Sequence, residues 1–212
     1  MRCSDKTRDF IDGITLKQTI GTFEKDKHYK IRVFDSPSKM AKAIKMKASK
    51  EKTRLSRILA TFDWEYSQEK VPSKSKYWEV KIGRFHMPWN GELKKDSKVV
   101  NNSVAWAERI ETIDEIGSTF TIQGFDLNYA GVIIGPSVFY RDGKIQFDPK
   151  KTKNRKATYN KRTSHGIINC SEELLKHELR VLLTRGVNGL FIYACDTSLN
   201  NALKKAVEIG RY

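Results

Sequence analysis

No stretch of apolar residues approaches the roughly 20 that a membrane-spanning helix needs, and Met1-Arg2-Cys3-Ser4-Asp5 has none of the apolar character of a secretory leader. These absences predict a chain with no membrane partner and a cytoplasmic location. Cysteine is scarce: Cys3, Cys170 and Cys195 are odd in number and far apart, which argues against a disulfide framework or a CxxC metal clip and leaves reduced, structural thiols. The four histidines, His28, His86, His165 and His177, show no metal-ligand spacing, so no metal site is expected of them. No internal repeat of solenoid period is present. With 39% of 212 residues hydrophobic, the chain has the size and composition of one ordinary domain spanning residues 1–212.

Acidic residues are also in short supply. Forty Lys and Arg stand against 25 Asp and Glu, for a formal charge of +15. Residues 39–57 hold eight basic residues against Glu51 alone, a net of +7. Residues 149–165 hold Lys150, Lys151, Lys153, Arg155, Lys156, Lys161 and Arg162 with no acid, another +7, so the remaining chain is close to neutral. Cations gathered in two places fit contact with the phosphates of a polyanion. A solvated lysine face plus a basic loop would give the same count. Lys42, Lys45, Lys150, Lys151 and Arg155 are the candidate contacts.

Asp35-Ser36-Pro37 has the form of a helix entrance, with Ser36 able to cap free amides and Pro37 suited to the first helical position. The helix should run to about Lys50, with Met40, Ile44 and Ala48 inward and Lys39, Lys42, Lys45 and Lys50 largely outward. Residues 56–62 and 77–82 read as strands, 87–102 as loop, and 104–110 as a short helix. Residues 130–134 are continuously apolar, as in a parallel strand buried on both faces. Arg141-Asp142-Gly143 between two short apolar runs signals a hairpin. The segment 149–165, with Tyr159 as its one large apolar residue, is expected to be a mobile basic loop that orders on binding. Ser171 is placed to cap the next helix, Glu172 and Glu173 to suit its positive end, and Leu175, Leu179, Leu182 and Leu183 to form its buried stripe. Gly186 should end it; a strand at 190–194 and a closing helix at 198–209 follow. Buried strands alternating with helices predict an α/β layer fold with a mainly parallel sheet and a small β-hairpin insertion. Ligands of such sheets belong at the strands' carboxyl ends.

The stretch 117–136, GSTFTIQGFDLNYAGVIIGP, places Ser118, Phe120, a Gln123-Gly124 turn and Asp126 immediately before that apolar strand. It resembles motif V of superfamily-one helicases, Thr-x-His-x-x-Lys/Gln-Gly-x-Glu-Phe before a strand. The resemblance implies that Gln123 takes part in catalysis, that Gly124 lets the backbone approach the terminal phosphate, that Asp126 accepts a ribose hydroxyl, and that Ser118 and Phe120 face the nucleic-acid strand. Phe120 stands where the family has His, and Asp126 is one methylene shorter than Glu. A plain Gly-containing turn before a core strand is the structural alternative. A second stretch, 178–196, carries Leu182-Leu183-Thr184-Arg185-Gly186 and then a strand. It resembles motif VI, in which Arg185 would be the arginine finger. Phosphoryl transfer needs a fixed, always-protonated fork of donors on charge that builds at the phosphate, and Lys would give a looser point charge. An ordinary basic residue at a helix C-terminus is the structural alternative.

Met1-Arg2 resembles the end of motif IV, which makes Arg2 a candidate phosphate contact. A chain opening on that arginine is what separation from a preceding domain is expected to leave. Together with WEYS, FHMPWN and VAWAER, these motifs are most similar to the helicases grouped with Schlafen-type ATPases, over most of the chain. The resemblance implies a RecA-like, three-layer domain of the P-loop NTPase type, single-stranded DNA or RNA as partner, and ATP and Mg²⁺ bound only jointly with an N-terminal P-loop ATPase domain. No GxxxxGK[S/T] loop occurs here, so the chain by itself is not expected to hydrolyse ATP. Two other readings stay open: a Mg²⁺-dependent nuclease of the PD-(D/E)xK type built on Asp63, Glu79 and Lys81, and a non-enzymatic nucleic-acid-binding module using the two basic segments with Trp64, Trp89 or Phe120 for stacking.

Overall fold

The computed structural model describes residues 4–70, 72–73, 75–93, 104–155, 158, 160–163 and 166–209. The chain opens with helix α1 (Asp5–Thr15), capped by the Ser4 hydroxyl, which accepts from the Thr7 amide. Strand β1 (Lys30–Val33) and helix α2 (Pro37–Lys50) follow. Strand β2 (Arg57–Ala60) is buried throughout; β3 (Glu79–Ile82) and β4 (Phe85–Pro88) form an antiparallel hairpin. Two 3₁₀ turns lead to the short β5 (Ile116–Gly117), then to the long β6 (Leu127–Ile134). β7 (Val138–Arg141) and β8 (Lys144–Phe147) pair across Asp142 and Gly143, both at positive φ (52° and 76°), the geometry that Asp-Gly supplies. β9 (Asn160–Thr163) and β10 (Gly166–Asn169) make another hairpin; α3 (Ser171–Leu183), β11 (Gly186–Ala194) and α4 (Thr197–Ile209) close the fold.

The central sheet has the order β1-β11-β6-β2-β5 and every pairing in it is parallel. Alternate residues of β2, β6 and β11 serve two cores. Ala130, Val132, Ile134, Leu190 and Ile192 meet α1, α3 and α4 through Ile11, Leu179 and Leu203. Ile58, Ile133 and Phe191 meet α2 and the β3–β4 hairpin through Met40, Ile44, Val80 and Trp89. The result is the expected three-layer, RecA-like arrangement with a mainly parallel sheet, and small antiparallel hairpins attached. Gly131 lets α2 lie close on β6: a Cβ there would stand 2.8 Å from Ile44 Cγ1.

Several local expectations are corrected. Ser36 occupies the cap position of α2 but its side chain makes no capping bond. The Asn169 side chain, not Ser171, receives a free amide at the start of α3, accepting from Ser171 N at 2.9 Å, so Ser171 is already the first helical residue. Gly186 opens β11 rather than closing α3, which is capped by Thr184. The expected loop at 87–102 begins inside β4, and 94–103 lie outside the described residues. The helix expected at 104–110 is two 3₁₀ turns, Trp106–Glu108 and Ile110–Asp114. The basic segment 149–165 is not loop throughout: Thr152 and Lys153 are bonded to the Phe62 carbonyl, and 160–163 form β9, where backbone pairing needs no apolar side chains. Among the described residues no helix is long and apolar enough to cross a membrane.

Candidate nucleotide and nucleic-acid interface

The two motif arginine and glycine regions meet because their strands are neighbours. β6 and β11 are paired with Leu127 opposite Gly186, so the residues just before each strand come together. The Arg185 carbonyl accepts from Leu127 N at 2.8 Å, and Arg185 Nη1 donates to the Phe125 carbonyl at 3.3 Å. Nη1 also lies 3.8 Å from Asp126 Oδ1, with the Arg185 side chain 12% exposed and that of Asp126 36%. Gly124 turns the chain at φ +77°, a conformation that costs a side-chain-bearing residue energy, and nothing stands within 4 Å of the Cβ it lacks. Gln123 beside it is exposed. Arg185, Gln123, Gly124 and Asp126 thus form one constellation. It lies at the amino ends of the strands, and not at the carboxyl ends where the general rule places ligands, because both motifs precede their strands in the chain.

The carboxyl ends carry Ser118 and Phe120 instead. Ser118 follows β5 and is fully buried; its hydroxyl donates to the Asn90 side chain at 2.6 Å and accepts from Phe120 N at 3.1 Å. The expectation that Ser118 faces a strand is therefore corrected: it lies beneath the surface and holds the backbone of Phe120. Phe120 is 42% exposed, and its ring meets that of Phe62 edge-on at 5.4 Å. Phe62 in turn packs on Trp89 at 4.8 Å and on Tyr66 at 6.5 Å. The Phe62 carbonyl accepts from Thr152 Oγ1 at 2.9 Å and Lys153 N at 2.8 Å, which brings the exposed Lys150, Lys151, Lys153 and Arg155 to the same edge as Phe120.

Glu178 completes this edge and had no part in the sequence argument. Its Oε1 accepts from Phe62 N at 2.7 Å and its Oε2 from Asn154 Nδ2 at 3.4 Å, so one carboxylate secures both the aromatic ring and the basic segment. Burial, with the charge of Asp63 adding, pushes its pKa up to about 7. Its position had a signal: Glu178 stands three residues after Leu175 and four before Leu182, inside the buried stripe of α3. Burial also raises Asp63, whose Oδ2 accepts from Ser137 N at 2.9 Å and Thr61 Oγ1 at 3.2 Å, and pushes the Cys195 thiol to about 12.

Other candidates are not gathered. Lys42 and Lys45 are exposed on α2, and Lys45 pairs with Asp114; neither is linked to Phe120 or to Lys150, Lys151 and Arg155 among the described residues. Arg2 lies outside the described residues. The nuclease alternative finds its groups engaged separately: Asp63 binds Thr61 and Ser137, while Glu79 binds Lys81 at 3.2 Å and His86 at 3.1 Å.

A family model described as Schlafen group 3, DNA/RNA helicase domain, matches residues 1–196. A Saccharomyces cerevisiae protein, uncharacterized protein YPL245W, is 36% identical over 186 residues, which is 85% of this chain and 37% of that protein. The chain therefore spans less than half the length of this relative. No solved structure matches. Coverage of that extent by the family model, on a three-layer domain whose motif residues converge, shows that the chain belongs to the Schlafen group 3 DNA/RNA helicase-domain family.

Proposed function

We propose that the chain is the second motor lobe of an ATP-dependent DNA or RNA helicase or translocase. The observation that carries this reading is the division of motif V between the two ends of the sheet. Its Gln123-Gly124-x-Asp126 half joins Arg185 at the amino ends, and its Phe120 half joins the basic segment at the carboxyl ends. Nucleotide and strand would then touch opposite rims of one rigid layer, so a shift on one rim is felt at the other.

ATP and Mg²⁺ would be held chiefly by an N-terminal P-loop ATPase domain. The residues of this chain fit a completing role: Gly124 leaves its surroundings open to a phosphate, Gln123 is exposed beside it, and Arg185 presents a guanidinium already oriented by the Phe125 carbonyl. To reach a phosphate the guanidinium leaves Asp126, whose carboxylate then becomes available to a ribose hydroxyl. On the other rim, Phe120 offers a ring face to a base while Lys150, Lys151 and Arg155 meet phosphates. Such a motor would act in the cytoplasm on single-stranded nucleic acid.

A binding module without catalysis is the second reading, favoured by the low exposure of Arg185 and its place beside Asp126. Substitution decides between them. In a protein that includes the P-loop domain, Arg185→Ala should lower ATP turnover by about 10³-fold or more and leave strand binding intact. Arg185→Lys should not restore it. Unchanged turnover in Arg185→Ala would sink the motor reading in favour of the module.

A further inference from the structure

The amino ends of the sheet carry a feature that the Arg185 constellation does not use. A cleft of about 620 Å³ opens along the edge strand β1, its lining including Lys25, Lys27, Lys30, Arg32, Tyr129 and Asn188. The alternation of β1 builds it: Ile31 and Val33 turn into the core, which leaves Lys30 and Arg32 exposed on the other side. In β11, opposite, the register slips between Gly186 and Gly189, so that Asn188 is exposed beside Lys30. The Tyr129 ring forms a wall and carries Lys47 Nζ at 3.9 Å, which adds a fifth cation at the margin.

The cations of this cleft outnumber its one acid. Among the described residues Lys25, Lys27, Lys30 and Arg32 have no ion-pair partner, and Arg32 rests on the Phe34 ring at 4.6 Å. The one acid on the lining, Asp26, is already engaged: it accepts from His28 N at 2.8 Å, and the Ser4 hydroxyl and then the His28 and Tyr29 amides hold its carboxyl below the ordinary range. A concave surface of like charges repels itself and concentrates counter-ions of the opposite sign. The cations are strung along an extended segment rather than converging on a point, and Lys30 and Arg32 stand about 6.6 Å apart along the strand. That spacing suits successive phosphates better than one compact anion.

We propose that this cleft is a second nucleic-acid contact that holds consecutive phosphates of a strand, separate from the Phe120 rim. The identity of the polyanion rests on the motor-lobe reading; the existence of an anion site does not. It lies beside the nucleotide rim: a Cβ on Gly186, next to Arg185, would stand 3.2 Å from the hydroxyl of Tyr29, which also lines the cleft.

Fluorescence anisotropy with labelled oligothymidylate and oligouridylate, over a range of salt, tests this on the 212-residue chain. Lys25→Gln/Lys27→Gln/Lys30→Gln/Arg32→Gln should make the slope of log affinity on log salt shallower by about 3, at about 0.7 for each cation on a single strand. Each single substitution should change it by about 0.7, which keeps the test open if the quadruple variant folds poorly. Lys25→Arg/Lys27→Arg/Lys30→Arg should bind as the parent does. Phe120→Ala should weaken binding about tenfold through lost stacking, with the slope unchanged. If the parent binds and Phe120→Ala weakens it, yet the Gln variants keep the parental slope, the cleft proposal alone fails. If the parent binds neither oligonucleotide, both readings fall together. Inorganic tripolyphosphate that binds the parent as tightly as the oligonucleotides, and is lost with the Gln variants, would make the cleft a compact-phosphate pocket and overturn the strand assignment.

Discussion

A carboxyl group inside a leucine stripe has consequences that a surface glutamate does not. Glu178 is 8% exposed, and its pKa stands at about 7 in the fold against 4.5 as the ordinary value. A raised acid pKa means that the fold favours the protonated form. Its stabilising contribution is complete below about pH 4.5, declines as pH rises, and is gone above about pH 7, a total on the order of 3 kcal/mol. Glu178→Gln keeps an acceptor for Phe62 N and removes the charge. It should raise stability at pH 8 by on the order of 2 kcal/mol and change little at pH 4. Urea unfolding at the two pH values measures this; an equal effect at both would show that the fold does not raise the carboxyl's pKa. The leucine spacing puts Glu178 on the buried face of α3, but what that face packs on, and so what the carboxylate holds, is set by the tertiary contacts. Arg185, Gln123, Gly124 and Asp126 were singled out by their resemblance to helicase motifs, and the pairing of β6 with β11 brings the two stretches side by side.

At the scale of elements, contacts between a helix and the sheet decide the layer spacing. Gly131→Ala would drive a methyl into Ile44 and lift α2 from β6, at a cost of about 1–3 kcal/mol. In an Ile44→Ala background, which removes both Cγ1 and Cδ1, Gly131→Ala should cost less in a thermal or urea melt, and an equal cost there would mean that the clash is relieved elsewhere. The turn after β5 makes a comparable case. Ser118→Ala leaves the buried Asn90 side chain without its donor and frees Phe120 N, a loss of about 1–3 kcal/mol. Strand affinity should fall with it, since Phe120 is then no longer held against Phe62; unchanged affinity would remove Phe120 from the interface. The long helices α2, α3 and α4 follow from apolar periodicity, and β6 and β11 from continuous apolar runs. α1, β1 and β5 do not announce themselves: β1 is four residues long and two of them are cations. The Lys25–Arg32 cations form no run in the sequence, because they are diluted in a remainder that is almost neutral.

For the whole molecule, the +15 charge is meaningful through its distribution over surfaces, and the sheet order determines that distribution. The chain alone, with no phosphate loop, should bind strands in a salt-sensitive way and turn over no ATP. Turnover that tracks the concentration of the isolated chain would overturn this division of labour.

What the sequence determined by itself is whatever is local or periodic. This includes the helix stripes, the apolar strands, the Asp142-Gly143 hairpin, the α/β class, and the residue types that precede β6 and β11. The tertiary structure alone decided adjacency. It set Arg185 beside the Gly124 turn, separated Phe120 from that turn, buried Ser118 and Glu178, and turned a scatter of lysines around β1 into one cleft. The reason is physical: strand order and register bring together residues about sixty positions apart, and no short-range preference of the chain encodes which strand becomes whose neighbour.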